Sequence, residues 1–466
     1  MFSIKSTMKM NKTTYSANFA AFFLLLTVIL FFNLSGRTLE NHDYLRYAEV
    51  AREMIRSGDW LVLRYNGAIY IHKPPLAIWL IALPAVLKGC VTPFIARLPS
   101  AMFALLGGII VFFLAHQIWK DVRSAFISAG VLVTSHLYFW QGRVARIDMT
   151  FSILILMVLW FFMMGYQQAG RKKLYYVSAS FVFMALAFLV KGPAGILLPL
   201  FVVSAFLLLE KGFTFLCQKE CIFGYTLGSG LLLIWFVLFL SHVSWDELGS
   251  SLKGANIITR KAPFYSYAVR IWFDFAPWSF FLPSLVTYLH NKKITQNEKL
   301  LLIWIASIFV ILTIFPYRNP RYMLPIFPPL ALLVGNYLSR KPLRLFVIIF
   351  CASVIVWHAK ELVWINRNPQ AVQGPALALA IKPYLDNHIF AYKIEDGVLE
   401  KINFYGDVFP PLKNVQKLDI VSKNANMFLL ISDGLALPDV KTKHDAFLPV
   451  RYFFTAGKKL LLMHIG

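Results

Sequence analysis

Nearly charge-free apolar runs at 17–32, 101–115, 151–164, 176–189 and 196–209 constrain this chain more than any motif in it. Each approaches the roughly 20 residues that an α-helix needs to cross a bilayer. Of the 466 residues 58% are hydrophobic, and the mean hydropathy is +0.62, too apolar for a soluble globular domain. The sequence predicts a polytopic membrane protein. Spans are expected at 17–33, 95–118, 123–140, 148–166, 174–190, 193–209, 222–242, 275–290, 299–315, 321–338 and 343–360. The first follows Lys5, Lys9 and Lys12 with no clear small-residue cleavage site, so it reads as an uncleaved helix.

Basic loops set the expected orientation. Lys120/Arg123, Arg171/Lys172/Lys173, Lys211/Lys219, Lys292/Lys293/Lys299 and Arg340/Lys341/Arg344 fall on one side with the N-terminal lysines. That side is expected to be cytoplasmic. An odd span count then puts the C-terminal tail outside, unless 76–88 also crosses. The net charge of +23 is read as this bias together with attraction to anionic membrane lipids, not as a nucleic-acid surface. The four cysteines are scattered and suggest no disulfide framework.

The opposite side breaks the rule. It carries a charge-dense stretch from Asp43 to Ser100, then Arg143/Arg146/Asp148, Lys191, Arg260/Lys261/Arg270 and Arg318/Arg321. So many ionisable groups beside a membrane point to chemistry or to a charged ligand. Anionic phosphate suits them, because arginine offers a bidentate fork and lysine a point charge. Pairing with nearby acids and snorkelling at helix ends is the alternative.

Within that stretch, 44–57 places Tyr47, Val50, Ala51, Met54 and Ile55 on one helical face, with Gly58 as a stop. It is expected to lie on the membrane surface. Asp43 precedes it, either as an N-cap or as a carboxylate that orients or deprotonates an acceptor hydroxyl. Glu49 reads as part of a solvated helix face. Lys73-Pro74-Pro75 fixes an extended backbone and presents the Lys73 ammonium rigidly. His72 beside it reads either as a ligand for a divalent metal ion or as a polar loop residue. Asp148 opens a helix, where an acid complements the dipole, or joins Asp43 at a site. Lys191-Gly192-Pro193 and the turn from Pro316 to Pro325, with Arg318 and Arg321, face the same compartment.

Beyond about residue 366 the apolar helical pattern stops. A helix at 375–385 and β-like runs at 389–394, 427–431, 450–455 and 459–464 predict a small α/β domain of roughly 100 residues.

Nucleotide sugars and ATP are not supplied outside the cytoplasm, and no P-loop or dinucleotide fingerprint is present. A transferase there needs a donor that arrives already activated with the membrane. A polyprenyl-phosphate sugar fits, since its leaving phosphate is stable beside Lys and Arg and needs no general acid.

Asp43-x-x-Arg46-Tyr47-Ala48-Glu49, Gly58-Asp59-Trp60, Lys73-Pro74-Pro75-Leu76, Arg97-Leu98-Pro99-Ser100, Arg146-x-Asp148 and Lys191-Gly192-Pro193 occur in the order seen in one enzyme family. The segments 263–267, 276–279 and 321–325 agree. Over residues 17–340 the chain resembles the polyprenyl-phosphate-dependent C-type glycosyltransferases related to protein O-mannosyltransferases, most closely the bacterial aminoarabinose (lipid A) transferase branch. The resemblance implies an all-α polytopic membrane fold of about 11–13 transmembrane helices, with periplasmic surface helices and a small C-terminal α/β soluble domain. It implies a multi-pass enzyme of the bacterial inner membrane, inverting at the periplasmic face, with residues 1–365 as transferase domain and 34–95 as its catalytic loop. Residues 366–466 would form a periplasmic domain. The donor would be a polyprenyl-phosphate sugar and the acceptor a lipid, glycan or protein.

The resemblance makes Asp43 the principal catalytic carboxylate, Asp148 the second, and Lys73 the contact to the donor phosphate. On electrostatic grounds Arg46, Arg146, Lys191, Arg318 and Arg321 are added, with Tyr47 beside them. His72 stands where the aminoarabinose branch carries an acid, and Asp43-Tyr44 replaces an Asp-Glu pair, which leaves the metal and the sugar open. Two rivals lie outside this class. A polyprenyl-lipid flippase would place its charges at the bilayer midplane, whereas here they cluster in loops on one side. A non-catalytic envelope-assembly subunit would tolerate Asp43→Asn.

Overall fold

A computed structural model of the chain describes residues 12–39, 41–246, 262–315, 318–367, 388–392, 396–406, 414–415, 427–432, 447–455 and 458–465. The helices of the membrane region are α1 (Lys12–Phe31), α2 (His42–Ser57), α3 (Leu76–Lys88), α4 (Pro93–Trp119), α5 (Val122–Thr134), α6 (His136–Gln141), α7 (Ile147–Tyr166), α8 (Gly170–Lys191), α9 (Ala194–Leu209) and α10 (Lys219–Ser241). They continue as α11 (Ser266–Asp274), α12 (Leu282–His290), α13 (Gln296–Ile314), α14 (Phe327–Leu338) and α15 (Leu343–Arg367).

All eleven expected spans are helical over most of their length, and three are broken. Among the described residues six helices are long and apolar enough to cross a bilayer: α4, α7, α8, α10, α13 and most of α15. The chain is a multi-pass integral membrane protein.

Breaks carry their own hydrogen-bond partners, as a low-dielectric interior requires. The expected span at 123–140 divides at Ser135, whose backbone is extended. There the Thr134 carbonyl accepts from Trp357 Nε1 at 2.9 Å, and the Thr134 hydroxyl from Trp278 Nε1 at 3.0 Å. The segments at 275–290 and 321–338 begin as the 3-10 turns Trp278–Phe281 and Pro320–Ile326 before α12 and α14.

Helices α5 and α14 approach closely, which in a membrane is the main source of cohesion between helices. A Cβ on Gly335 would lie 2.1 Å from Ser128 Oγ and 2.6 Å from its Cα. Gly335→Ala should therefore cost about 1–3 kcal/mol through overpacking. A lowered melting temperature of the detergent-solubilised protein checks this, and an unchanged one would contradict it.

The basic loops meet at one end of the bundle. Arg123 donates to the Lys341 carbonyl, Gln167 Nε2 to Asn297 at 2.5 Å, and Trp119 Nε1 to Glu298 at 3.1 Å. Glu298 also closes a capping box on Thr295 at the start of α13.

At the other end two buried arginines hold main chain. Arg97 donates to the carbonyls of Leu34, Arg37 and Thr38 at 2.6–3.0 Å. Arg143 donates to Ile29 and Leu30 at 3.1 and 2.8 Å and pairs with Glu361 at 2.7 Å. Both satisfy carbonyls at or beyond the end of α1, where a helix has no partners of its own. Their distance from the basic loops thus has a structural cause.

α2 forms where the spacing placed it, and Gly58 ends it at φ 70°. Its surroundings differ from the expectation of a surface helix. Tyr47, Val50, Ala51 and Met54 join the main core, while Tyr44, Leu45 and Ala48 pack with Leu39, Ala96, Val144 and Phe404. Glu49, expected on a solvated face, is buried and paired with Arg52 at 2.6 Å. Covered on two faces, α2 is a structural member of the bundle's end.

A short hairpin, β1 (Arg64–Tyr65) and β2 (Ala68–Ile69), follows α2, and in the C-terminal module β3 (His388–Tyr392), β4 (Asn414–Val415), β5 (Met427–Ser432), β6 (Phe447–Thr455) and β7 (Lys458–Ile465) form a sheet of order β4-β3-β5-β7-β6. β3 runs parallel to β4 and β5, and the remaining pairs are antiparallel. β3, β5, β6 and β7 match the four expected runs, and β4 was not expected. α16 (Asp396–Tyr405) follows β3, and the sequence had not signalled it. The helix expected at 375–385 lies outside the described residues.

Candidate active site

The charged site is assembled from helix ends. Asp43 stands in the first turn of α2, but Asn41 is the cap, its side chain accepting from the Asp43 N–H at 3.0 Å. The Asp43 carboxylate is free of capping and turns to Arg146 Nη2 at 3.0 Å and Arg321 Nη1 at 3.2 Å. Asp148, in the first turn of α7, meets Lys191 Nζ at 2.6 Å at the end of α8 and Arg321 Nε at 3.4 Å. One guanidinium thus bridges two carboxylates from separate helices, in the planar fork that arginine supplies and lysine does not.

Aromatic rings line the cations. Lys191 Nζ lies 4.4 Å from the Tyr322 ring centroid and 4.9 Å from Phe151, and the Arg146 guanidinium 5.1 Å from Tyr44. Ring faces stabilise a cation that has lost water. Tyr47 is buried, and burial, with Tyr70, Asp43 and Asp148 nearby, raises its hydroxyl well above the ordinary tyrosine value. It is a neutral wall beneath both carboxylates.

Lys73 stands in the same field without a fixed partner. It makes no hydrogen bond or ion pair with the described residues. Burial and the charge of Lys191 hold its ammonium below the ordinary lysine value, against the pull of Asp148 and Asp43. Arg46 lies one turn along α2 from Asp43, donates to His42 Nε2, and sits 5.9 Å from the Tyr65 ring.

Two expected residues stand apart. Arg318 donates to the carbonyls of Ala262 and Thr313, the latter at 2.7 Å, and so supports the turn that presents Arg321. No contact among the described residues joins it to the two carboxylates. His72 packs on Tyr70, and burial together with Arg46 and Lys73 lowers its affinity for a proton. Two cations beside it oppose a metal ion for the same reason. Among the described residues no three His, Cys, Asp or Glu side chains come together as a metal cluster. Arg260, Lys261, Pro316 and Tyr317 lie outside the described residues.

Sequence reasoning missed Phe151 and Tyr44, although each lies within three residues of a site charge. It had no signal for Glu400, whose carboxylate reaches His42 and Tyr65 from the C-terminal module.

Residues 72–245 match the family model described as dolichyl-phosphate-mannose-protein mannosyltransferase. Over 330 residues the chain is 27% identical to the undecaprenyl phosphate-alpha-4-amino-4-deoxy-L-arabinose arabinosyl transferase 2 of Proteus mirabilis. The chain is homologous to these membrane transferases. That alignment covers 68% of the chain and 58% of the relative. An uncharacterised protein of Aquifex aeolicus is 30% identical over 339 residues, which cover 71% of the chain and 66% of that protein. The chain therefore spans under two thirds of these relatives' length. The crystal structure of ArnT from Cupriavidus metallidurans bound to undecaprenyl phosphate has the same fold as this chain. Its TM-score is 0.78 at 19% identity, over 96% of this chain and 98% of that one. The Archaeoglobus fulgidus oligosaccharyltransferase is more distant, with a TM-score of 0.51 at 13% identity over 84% of this chain and 64% of that one.

Proposed function

We propose that this chain is an inverting glycosyltransferase of the inner membrane that moves a sugar from a polyprenyl-phosphate donor to a lipid, glycan or protein acceptor at the periplasmic face. The carrying observation is the Asp43–Arg321–Asp148 bridge, ringed by Lys73, Lys191 and Arg146 at the end of the bundle away from the basic loops. The names of the Proteus mirabilis relative and of the undecaprenyl-phosphate-bound ArnT structure support the donor class. Residues 1–365 serve as the transferase unit, with the catalytic loop at 34–95, and 366–466 as a periplasmic module.

In this reading a hydroxyl of the acceptor attacks the anomeric carbon from the face opposite the phosphate. The new C–O bond forms as the bond to the donor phosphate breaks, so the configuration inverts. The leaving phosphate takes the electron pair and is stabilised by cations already in place. The hydroxyl proton passes to the Asp43 carboxylate. Asp148 holds Lys191 and Arg321 in position. An acceptor phosphate would need no deprotonation, and Asp43 would then orient it.

Mass spectrometry of lipid and glycan extracts tests this. A glycan mass present with wild type and absent with Asp43→Asn at equal expression identifies the product. If Asp43→Asn leaves every species as in wild type while gene deletion does not, the reading is wrong.

Lys73 gives a second expectation, in pH. Its protonated form binds phosphate, and its proton is lost as pH rises through a value below the ordinary 10.5. Undecaprenyl phosphate should therefore bind fully near neutrality and more weakly as pH climbs, from a lower pH than an ordinary lysine would give. Lys73→Gln should weaken binding about tenfold or more near neutrality, the scale of one charged hydrogen bond, and flatten this alkaline limb. A limb that survives in Lys73→Gln would assign the proton elsewhere.

A further inference from the structure

α16 brings the C-terminal module onto the helix that carries Asp43. Arg52 of α2 donates to the carbonyls of Phe404 at 3.0 Å and Asn403 at 2.9 Å, capping the end of α16. The Leu39 N–H donates to the Tyr405 hydroxyl at 2.5 Å. These contacts dock the helix. Glu400 does something different, because its carboxylate points at side chains next to the charged site.

Glu400 Oε2 lies 2.5 Å from His42 Nδ1, and Oε1 accepts from the Tyr65 hydroxyl. On its other nitrogen, Nε2, His42 faces the Arg46 guanidinium. A guanidinium can only donate, so Nε2 accepts and the ring proton sits on Nδ1, directed at Glu400. The result is an ordered chain of carboxylate, imidazole and guanidinium. Tyr65 supplies a second hold on the carboxylate, and its ring faces Arg46. Arg46 in turn lies in the fields of Tyr70 and Asp43. The Glu400 side chain is only 10% exposed, so its oxygens rely on these partners for hydrogen bonds.

We propose that Glu400 is a positioning residue of the transfer site: through His42 and Tyr65 it fixes Arg46 for the donor phosphate, so that the C-terminal module completes the site. This rests on the donor reading given above. It assigns the module a role in donor binding, carried by one carboxylate. Second partners of this kind orient a binding group at the cost of its own freedom, and their loss loosens the ligand without removing any group that touches it.

The test uses the full-length protein in detergent and undecaprenyl phosphate as probe, titrated by native mass spectrometry. Glu400→Ala should weaken binding about threefold to tenfold, as expected for losing one or two hydrogen bonds behind a binding group. The donor KM should rise in step while kcat stays within about twofold. Glu400→Gln, which keeps the acceptor oxygen for His42, should recover most of the loss. Tyr405→Phe removes a docking contact away from Arg46 and should bind as wild type. Wild-type affinity in Glu400→Ala overturns the proposal. So does an equal loss in Tyr405→Phe, since Glu400 would then only dock the module. If the wild type fails to bind undecaprenyl phosphate, or Lys73→Gln binds as wild type, the donor reading itself falls. If Lys73→Gln loses binding while Glu400→Ala does not, the positioning role alone is wrong.

Discussion

Asparagine at Asp43 is expected to cut turnover by at least about 100-fold, the lower bound for a positioned base, while undecaprenyl phosphate binds at least as well as to wild type. The two effects have separate causes. The amide cannot take a proton, so a hydroxyl acceptor loses its base. It retains nearly the same shape, so α2 keeps its place under the Asn41 cap. Arg146 and Arg321 lose the anion they meet at 3.0 and 3.2 Å, and both become more available to a phosphate. The donor site therefore gains positive character as catalysis fails. Single-turnover assays with purified protein, beside a binding titration, separate the two. Unchanged turnover would remove Asp43 from the chemistry. A parallel collapse of binding would mean that Asp43 organises the cations rather than acting on the acceptor.

The membrane fold was legible because burial in lipid leaves an unmistakable trace, a long run without charge. The breaks at Ser135, Pro277 and Pro320 were not legible, since their backbone groups are satisfied by residues far along the chain, such as Trp357 on Thr134. At the site, charge on the non-basic side singled out Asp43, Arg146, Asp148, Lys191 and Arg321, which the fold brings together across 278 positions. The same signal also gathered Arg97, Arg143 and Arg318, which hold main-chain carbonyls instead. Sequence records that an arginine is present and not whether a carbonyl or a phosphate will meet it. Arg318 and Arg321 stand three residues apart and face different partners. α2 shows the same limit. Its apolar stripe fixed the helix, but its polar side seemed solvated because the covering residue, Phe404, comes from the C-terminal module.

Arg143 supplies the sharpest test of that distinction. Its position on the side opposite the basic loops would suggest a phosphate contact, yet it is 1% exposed and joins α1 to α15 through Ile29, Leu30 and Glu361. Arg143→Met removes a buried cation and leaves Glu361 with Arg37 at 3.6 Å as its remaining ion pair among the described residues. The expected loss is about 3–5 kcal/mol, because buried Glu361 keeps only its longer pair with Arg37 and the Ile29 and Leu30 carbonyls lose their donor. Adding Glu361→Gln should deepen the loss, since it leaves the buried Arg37 guanidinium without its anion. Thermal unfolding in one detergent at fixed pH checks both steps. The folded fraction of Arg143→Met should bind undecaprenyl phosphate as wild type does. A selective loss of that binding, without a fall in melting temperature, would move Arg143 into the donor site and reverse the assignment made from its burial.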